Sequence, residues 1–108
     1  MIEHPALSPQ AFQILVALAG GDQHGYSIMQ DVAARTGGKV QLSAGTLYGA
    51  IQRLLEQGYV VEVPGGTDDR RRVYHLTASG RKAARAEAAR LAELLEQARQ
   101  YGLAPERG

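Results

Sequence analysis

The apolar positions of the first half of the chain fall into three helical segments, each ended by glycine. Ser8 followed by Pro9 is a typical helix start, because serine caps free backbone N–H groups and proline in the first turn loses no hydrogen bond. The first helix is predicted over 9–19 and is apolar around most of its circumference. Further helices are predicted over 26–36 and 44–57, the last with a single apolar stripe.

The pattern changes after residue 58 to one that favours strands. Residues 59–63 are rich in β-branched and aromatic side chains, 64–69 are turn-forming, and 71–76 predict a returning strand. The two strands form a hairpin, here called the wing. Because an isolated hairpin is not stable in water, the wing must pack on the helices.

A long last helix follows the wing. Thr77 is placed to cap it, and it is predicted from residue 79 or 80 to Tyr101. The order of three helices, a hairpin and a long helix predicts a mainly α fold with a small β-hairpin, a winged helix-turn-helix with a C-terminal helix added. We divide the chain into a winged helix-turn-helix domain, residues 1–76, and a C-terminal helix with its tail, residues 77–108.

Composition excludes several classes of protein. The chain has 108 residues, no Cys and no Trp, so disulfide scaffolds, cysteine zinc sites and thiol catalysis are ruled out. No run is long enough to span a membrane, and the first 19 residues lack the features of a signal peptide, which predicts a cytoplasmic protein without a membrane partner. The three histidines show no metal-binding spacing and no phosphate loop is present. We expect no enzyme activity, no metal and no cofactor.

The net charge of +1 hides an uneven distribution. Residues 1–34 carry a net charge of −3, whereas residues 70–90 hold seven basic side chains and one acid, a net charge of +6. A basic segment of this kind points to a polyanionic partner. Arg70, Arg71 and Arg72 stand at its start, where they can bind phosphates; a solvated charge run is the alternative.

The third helix carries a second candidate surface on the side away from its apolar stripe. These positions are small, hydrogen-bonding or cationic: Gly45, Thr46, Tyr48, Gly49, Gln52 and Arg53, with Ser43 as the cap. Small residues let a helix approach a surface closely, and the others can donate to phosphates or base edges. An ordinary solvated face is the alternative, but Gly45 and Gly49 weigh against it, since each costs about 0.5–1 kcal/mol of helix stability relative to alanine.

The last helix carries a heptad-like seam. Its members are Ala84, Ala88, Leu91, Leu95 and Ala98, with Leu94 beside them. A helix of about 22 residues is about 33 Å long, more than three short helices can cover. We therefore expect part of the seam to meet a second copy of the chain, with Phe12 and Leu15 of the first helix as the companion surface. Packing wholly within its own domain is the alternative.

Short fragments spread along the chain form a specific series. They are Leu7-Ser8, His24-Gly25-Tyr26, Gly45-Thr46-Leu47-Tyr48, Arg53-Leu54, Gly58-Tyr59-Val60, and Arg71-Arg72-Val73-Tyr74-His75-Leu76-Thr77 with Gly80. Each fragment alone is weak, but with all of them in this order the chain resembles the PadR-like family of bacterial transcriptional regulators over nearly its whole length.

The resemblance implies a dimeric winged helix-turn-helix repressor. It implies that the third helix enters the major groove and that the wing touches the DNA backbone, with Thr46, Tyr48 and Arg70–Arg72 facing DNA. It also implies that the long C-terminal helix dimerises with the first helix. Residues 24–26 are expected to position the second helix. The chain has a single C-terminal helix, as short members do. It has no Trp, so the drug-stacking pocket of some short members is not carried over, and any small-molecule inducer is unknown.

We expect a sequence-specific regulator, a repressor that binds double-stranded DNA as a homodimer. The alternative is a winged helix that serves as a protein–protein interaction module, with its basic wing docking an acidic partner. Selective retention of specific duplex over random duplex would separate the two.

Overall fold

The computed structural model describes residues 5–64 and 72–105. Within these residues, four helices and three strands follow one another: α1 (Pro9–Ala19), β1 (Gln23–His24), α2 (Gly25–Arg35), α3 (Ala44–Glu56), β2 (Val60–Val63), β3 (Val73–Leu76) and α4 (Ala78–Gln100). The four predicted helices are confirmed, with bounds that differ by one or two residues. The fold class is confirmed as well, since the protein is mainly helical with a small sheet.

Polar side chains start the helices. Ser8, Ser43 and Thr77 each accept a hydrogen bond from the backbone N–H three residues further on, at 2.9–3.1 Å. These bonds satisfy donors that a helix start leaves free. Thr77 also donates to the carbonyl of Gly58 at 2.7 Å, which ties the start of α4 to the end of α3. Gly58 takes a φ of 76°, the left-handed conformation in which glycine ends a helix without strain.

The core forms around α1, which packs against α2, α3, β3 and α4. The largest side chains that are completely buried are Ile14, Leu15, Ile28, Leu47, Ile51, Leu54, Val32 and Val60. They come from α1, α2, α3 and the first strand of the wing, so the wing belongs to the same core as the helices. This agrees with the expectation that the hairpin needs the helices in order to fold.

The sheet has three strands where the sequence predicted two. Its order is β1-β3-β2 and both pairs are antiparallel, with Gln23 opposite Tyr74 and Val60 opposite Leu76. The prediction missed β1 because it is only two residues long and polar. Backbone hydrogen bonds hold such a strand at a sheet edge, so its side chains show no alternation that a sequence pattern could detect.

Helix α4 extends beyond the part of the chain that covers it. Its 23 residues correspond to about 35 Å, and its buried members Gly80, Ala83 and Glu87 all lie in its first half. Within residues 5–64 and 72–105, no helix is both long and apolar enough to cross a membrane.

Candidate nucleic-acid interface

Helix α3 separates its buried and exposed residues cleanly. Leu47, Ala50, Ile51 and Leu54 point into the core. Six of the residues that the sequence assigned to the opposite side, here called the outer face of α3, are exposed: Ser43, Gly45, Thr46, Tyr48, Gln52 and Arg53. Gly49 lies at the edge of this face and is half-buried. The structure therefore brings the predicted α3 residues together on one accessible helix side.

The N-terminal end of the outer face holds two linked hydroxyl groups. Ser43 Oγ accepts from the backbone N–H of Thr46 at 3.1 Å and donates to Thr46 Oγ1 at 3.0 Å. Because Thr46 Oγ1 is the acceptor in the second bond, that contact leaves the threonine proton free to donate outward. A phosphate oxygen is a suitable acceptor for a hydroxyl placed at an exposed helix start.

The two glycines of the outer face are not needed by the fold. Neither Gly45 nor Gly49 has a positive φ. A Cβ on Gly45 would meet nothing within 4 Å, and one on Gly49 would lie 3.8 Å from Nη1 of Arg53, an ordinary contact. Alanine would fit at both positions and favour the helix, so the fold gives no reason for glycine here. A helix that must lie close to another molecule gives such a reason.

Tyr48 connects the outer face to α2 and to the sheet. Its ring lies against Gly25, the first residue of α2, while the side chain stays 48% exposed. It also lies near Tyr74 of β3. Burial raises the pKa of Tyr74, and the nearby Glu62 and Tyr48 add to this effect. The outer face of α3 and the sheet are therefore neighbouring parts of one surface.

The described part of the wing shows one of its three arginines. Nη1 of Arg72 lies 3.2 Å from Oε1 of Glu62 on the adjacent strand. Both side chains are exposed, so this ion pair contributes no more than about 1 kcal/mol and can be exchanged for a phosphate contact. Arg70 and Arg71 lie outside the described residues.

Strand β1 is fastened to its surroundings by side chains as well as by backbone pairing. Asp22, just before it, accepts a hydrogen bond from Nδ1 of His75 on β3 at 2.7 Å. Nε2 of Gln23 donates to the carbonyl of Ala17 at 3.0 Å and to Oδ2 of Asp31 at 3.2 Å. The hydrogen bond from the Gln23 amide is the main reason why the pKa of the Asp31 carboxyl is lowered. These contacts hold β1 against α1, α2 and the sheet.

The predicted dimer residues differ in what they offer to a partner. Leu91, Leu94 and Leu95 are 45%, 62% and 42% exposed, which leaves a row of leucines on the second half of α4 uncovered. Ala88 is exposed, and Phe12, Ala84 and Ala98 are half-buried. Leu15 is completely buried in the core of its own chain. It therefore supports the surface from beneath and also lines the apolar pocket between α1 and α4.

An open apolar pocket lies between α1 and α4. It has a volume of about 220 Å³ and is lined by Phe12 and Val16 from α1 and by Ala84 and Ala88 from α4, with Arg85 also contributing. The pocket continues the apolar surface of the α4 leucines toward α1. Among the described residues, no group of three or more His, Asp or Glu side chains is arranged to hold a metal ion.

Residues 14–86 match the family model of the transcriptional regulator PadR-like family. The chain belongs to the PadR-like family. The matched segment runs from α1 into α4 and contains the outer face of α3, the wing and both glycines of that face. PadR-like proteins are transcriptional regulators and not enzymes, so family membership confirms that the chain is not an enzyme. No curated protein sequence is similar enough to this PadR-like chain to count as a match.

Solved structures of regulators share the fold of this PadR-like protein. A transcriptional regulator from Clostridium thermocellum is 26% identical, with a TM-score of 0.75 over 84% of this chain and 90% of that one. A PadR family regulator from Clostridium difficile is 20% identical, with a TM-score of 0.74 over 87% of this chain and 98% of that one. A probable transcriptional regulator from Pseudomonas aeruginosa is 26% identical, with a TM-score of 0.69 over 85% and 64% of the two chains.

Two features of this PadR-like surface escaped the sequence reasoning. Strand β1 and the contact between Tyr48 and Gly25 both depend on where the backbone brings distant segments together. The sequence does hold one signal for the contact, because Gly25 is the first residue of α2 and glycine is a poor helix former compared with alanine. That signal points to a close approach but does not name the partner.

Proposed function

We propose that this PadR-like regulator binds double-stranded DNA in a sequence-specific manner as a homodimer and represses transcription. The observation that carries the proposal is the outer face of α3. It joins exposed hydrogen-bonding side chains with two glycines that neither backbone conformation nor packing requires. A helix of this kind fits into the major groove, which is wide enough to admit it and presents a distinct pattern at each base pair.

The proposed DNA contacts are of two kinds: contacts to base edges, which recognise the sequence, and contacts to phosphates, which position the protein on the DNA. Gln52 and Arg53 have amide and guanidinium groups that suit base edges, since Gln pairs with adenine and Arg with guanine. Thr46 and Tyr48 have hydroxyls that suit phosphates, Ser43 orients the Thr46 hydroxyl through the hydrogen bond that it donates, and Gly45 and Gly49 keep the backbone close to the groove. Arg70–Arg72 on the wing bind the DNA backbone through charge and are not expected to read sequence.

The homodimer covers surface that one chain leaves open. The leucines of α4 are exposed beyond the part of the helix that touches its own domain, and the pocket between α1 and α4 continues this surface. A second copy that packs α4 against α1 and α4 buries both. In this arrangement Ala84, Ala88 and Ala98 allow a close helix approach, and Phe12 contributes area from α1. Residues 1–76 then form the DNA-binding unit and residues 77–108 the dimerisation unit.

A two-fold dimer places two copies of α3 on one side of the DNA. Helix-turn-helix dimers bind half-sites about one helical turn apart, about 34–36 Å from centre to centre, so the operator is expected to be palindromic. Such a repressor acts in the cytoplasm, where the bacterial chromosome lies. A small-molecule inducer of this regulator would act by binding the DNA-free protein more tightly than the DNA-bound protein.

The proposal is tested by selecting duplexes from a random-sequence pool with the purified protein. Fluorescence anisotropy then compares the selected duplex with a scrambled duplex of the same length and composition. A preference of at least about 10³-fold is expected, as specific complexes show. Equal binding to both duplexes would contradict sequence-specific function. Binding to neither, together with binding to an acidic protein, would favour a protein-interaction module.

A further inference from the structure

Gly25 lies where a side chain would collide with Tyr48. A Cβ on residue 25 would be 2.7 Å from Cζ and 3.0 Å from Cε1 of the tyrosine ring, and closer still to its phenolic oxygen. The φ angle of Gly25 is not positive, so the backbone alone would accept any L-residue. The glycine therefore provides space for the ring and is not needed for its conformational freedom.

The backbone of Gly25 is fixed on both sides. The preceding residue, His24, pairs with Val73 in the sheet and caps α2 by accepting from the backbone N–H of Ser27 at 3.4 Å. Gly25 itself is buried. A side chain at this position could not be relieved by movement of the backbone. The Tyr48 residue as a whole is 48% exposed, so its side chain can rotate away instead.

Gly80 provides a contrast within the same protein. A Cβ there would lie 2.9 Å from the backbone carbonyl carbon of Tyr59 and 2.8 Å from Cδ1 of Leu76. Because backbone cannot rotate away as a side chain can, alanine at residue 80 would disturb the fold. Alanine at residue 25 would instead displace one exposed ring. The two glycines therefore have different purposes, although both make close contacts.

We propose that Gly25 is a positioning residue for DNA binding. Because it has no side chain, the Tyr48 ring packs directly against its backbone, and this contact sets the position of the Tyr48 hydroxyl. This inference rests on the proposed function. The sheet holds Gly25 through β1, and Tyr48 belongs to the outer face of α3. Gly25 therefore links the position of the wing to a hydroxyl on the helix that enters the groove.

The consequence for binding follows from geometry. With alanine at residue 25, Cζ of Tyr48 must move by most of an ångström before it reaches the ordinary contact distance of 3.4 Å. A hydroxyl–phosphate hydrogen bond works only within a narrow range of distance and angle, so this displacement breaks it. A Tyr48 ring that no longer packs on the backbone of residue 25 must also be ordered when DNA binds, which lowers the affinity further.

The test is a double-mutant cycle on the duplex that the wild-type protein selects from a random pool. Gly25→Ala and Tyr48→Ala are each expected to weaken binding by about tenfold, as loss of one hydrogen bond to a charged group does. The double variant is expected to bind no more weakly than Tyr48→Ala alone. Gly20→Ala is the matched control, because a Cβ there lies 3.5 Å from its nearest neighbour, and its affinity should equal that of wild type.

A second readout needs no DNA. With 3-fluorotyrosine incorporated, Gly25→Ala should shift the fluorine resonance of Tyr48 and leave that of Tyr101 in place, while the melting temperature stays near that of wild type. Additive effects in the cycle, an unchanged affinity of Gly25→Ala, or an unshifted Tyr48 resonance would each overturn the inference. If wild type binds no duplex, the proposed function fails and the role in DNA binding fails with it. The fluorine spectra then still report separately whether Gly25 places the ring.

Discussion

The backbone N–H of Leu7 donates a hydrogen bond to Oε1 of Glu87 at 2.9 Å, which joins the segment before α1 to the first half of α4. Glu87 is only 8% exposed and is the one charged residue buried among those described. Nη2 of Arg90 donates to the same oxygen at 2.6 Å and to the carbonyl of Pro5 at 3.3 Å. One acid therefore holds the N-terminal segment on α4 beside the proposed dimer surface.

Glu87→Gln is expected to lower the free energy of unfolding by about 1–2 kcal/mol at pH 7, because it replaces a charge-assisted bond with a neutral one. The Leu7 N–H, followed by Arg90, lowers the pKa of Glu87 from its ordinary value of 4.5. A lowered pKa in the folded state gives a stabilisation that is present above pH 4.5 and is lost as the pH falls through the folded value.

Urea denaturation at fixed protein concentration checks this prediction at several pH values. The difference between wild type and Glu87→Gln should be largest near pH 7 and should shrink below pH 4.5. Glu93→Gln, a change on an exposed part of the same helix, is the control and should show little difference. A difference for Glu87→Gln that does not depend on pH would show that the charge of Glu87 is not what holds the N-terminal segment.

Gly80→Ala is expected to destabilise the fold by about 1–3 kcal/mol, the range for overpacking a filled site. The new Cβ, in the first turn of α4, would collide with the carbonyl of Tyr59, the residue just before β2. Thermal denaturation followed by circular dichroism measures the effect. Gly20→Ala again serves as control, and equal melting temperatures for the two variants would refute the close packing of α4 on Tyr59.

Gly45→Ala is expected to separate stability from DNA affinity. With open space around the new Cβ and a helical backbone, alanine should raise the free energy of unfolding by at most about 0.5–1 kcal/mol, the value for the middle of a helix, because Gly45 lies in the first turn of α3. The same methyl group would stand between α3 and the DNA, so affinity for the selected duplex should fall. Denaturation and anisotropy on one preparation give both numbers. A variant that is more stable and binds equally well would remove the proposed reason for glycine at this position.

Leu94→Glu is expected to convert the dimer to a monomer, because it places a charge in the middle of the proposed interface. Sedimentation velocity at micromolar concentration reads the result directly. Ala89→Glu introduces the same charge at an exposed position about half a turn around α4 from Leu91 and should remain dimeric. Wild type that sediments as a monomer, or a dimer that tolerates Leu94→Glu, would place the interface elsewhere.

The helices could be predicted from the sequence because their signals are local. Ser8, Ser43 and Thr77 cap the helices as their positions suggest, and the apolar stripe of α3 includes Leu47, Ile51 and Leu54, all of which are buried. The outer face of α3 followed from the same periodicity, since the residues that do not point inward must point outward. Local rules were sufficient for these elements and for the fold class.

The remainder depends on contacts between segments that are distant in sequence. Strand β1 exists because it meets β3, about fifty residues later, and Leu7 meets Glu87 across 80 residues. Leu15 was assigned to the dimer surface because the whole of α1 is apolar, whereas the structure gives its side chain to the core of its own chain. A pattern shows that such a helix is buried on several sides, but not which side faces which neighbour.

The salt dependence of affinity for the selected duplex tests the central claim most directly, because a dimer that uses two α3 helices and two wings must contact many phosphates. Each phosphate contact contributes roughly −0.9 to the slope of log K against log salt concentration. We predict a linear plot with a slope of about −5 or steeper, and a preference for the selected over the scrambled duplex that persists at every salt concentration. A slope near zero, or equal affinity for the selected and the scrambled duplex at every salt concentration, would contradict DNA recognition by this protein.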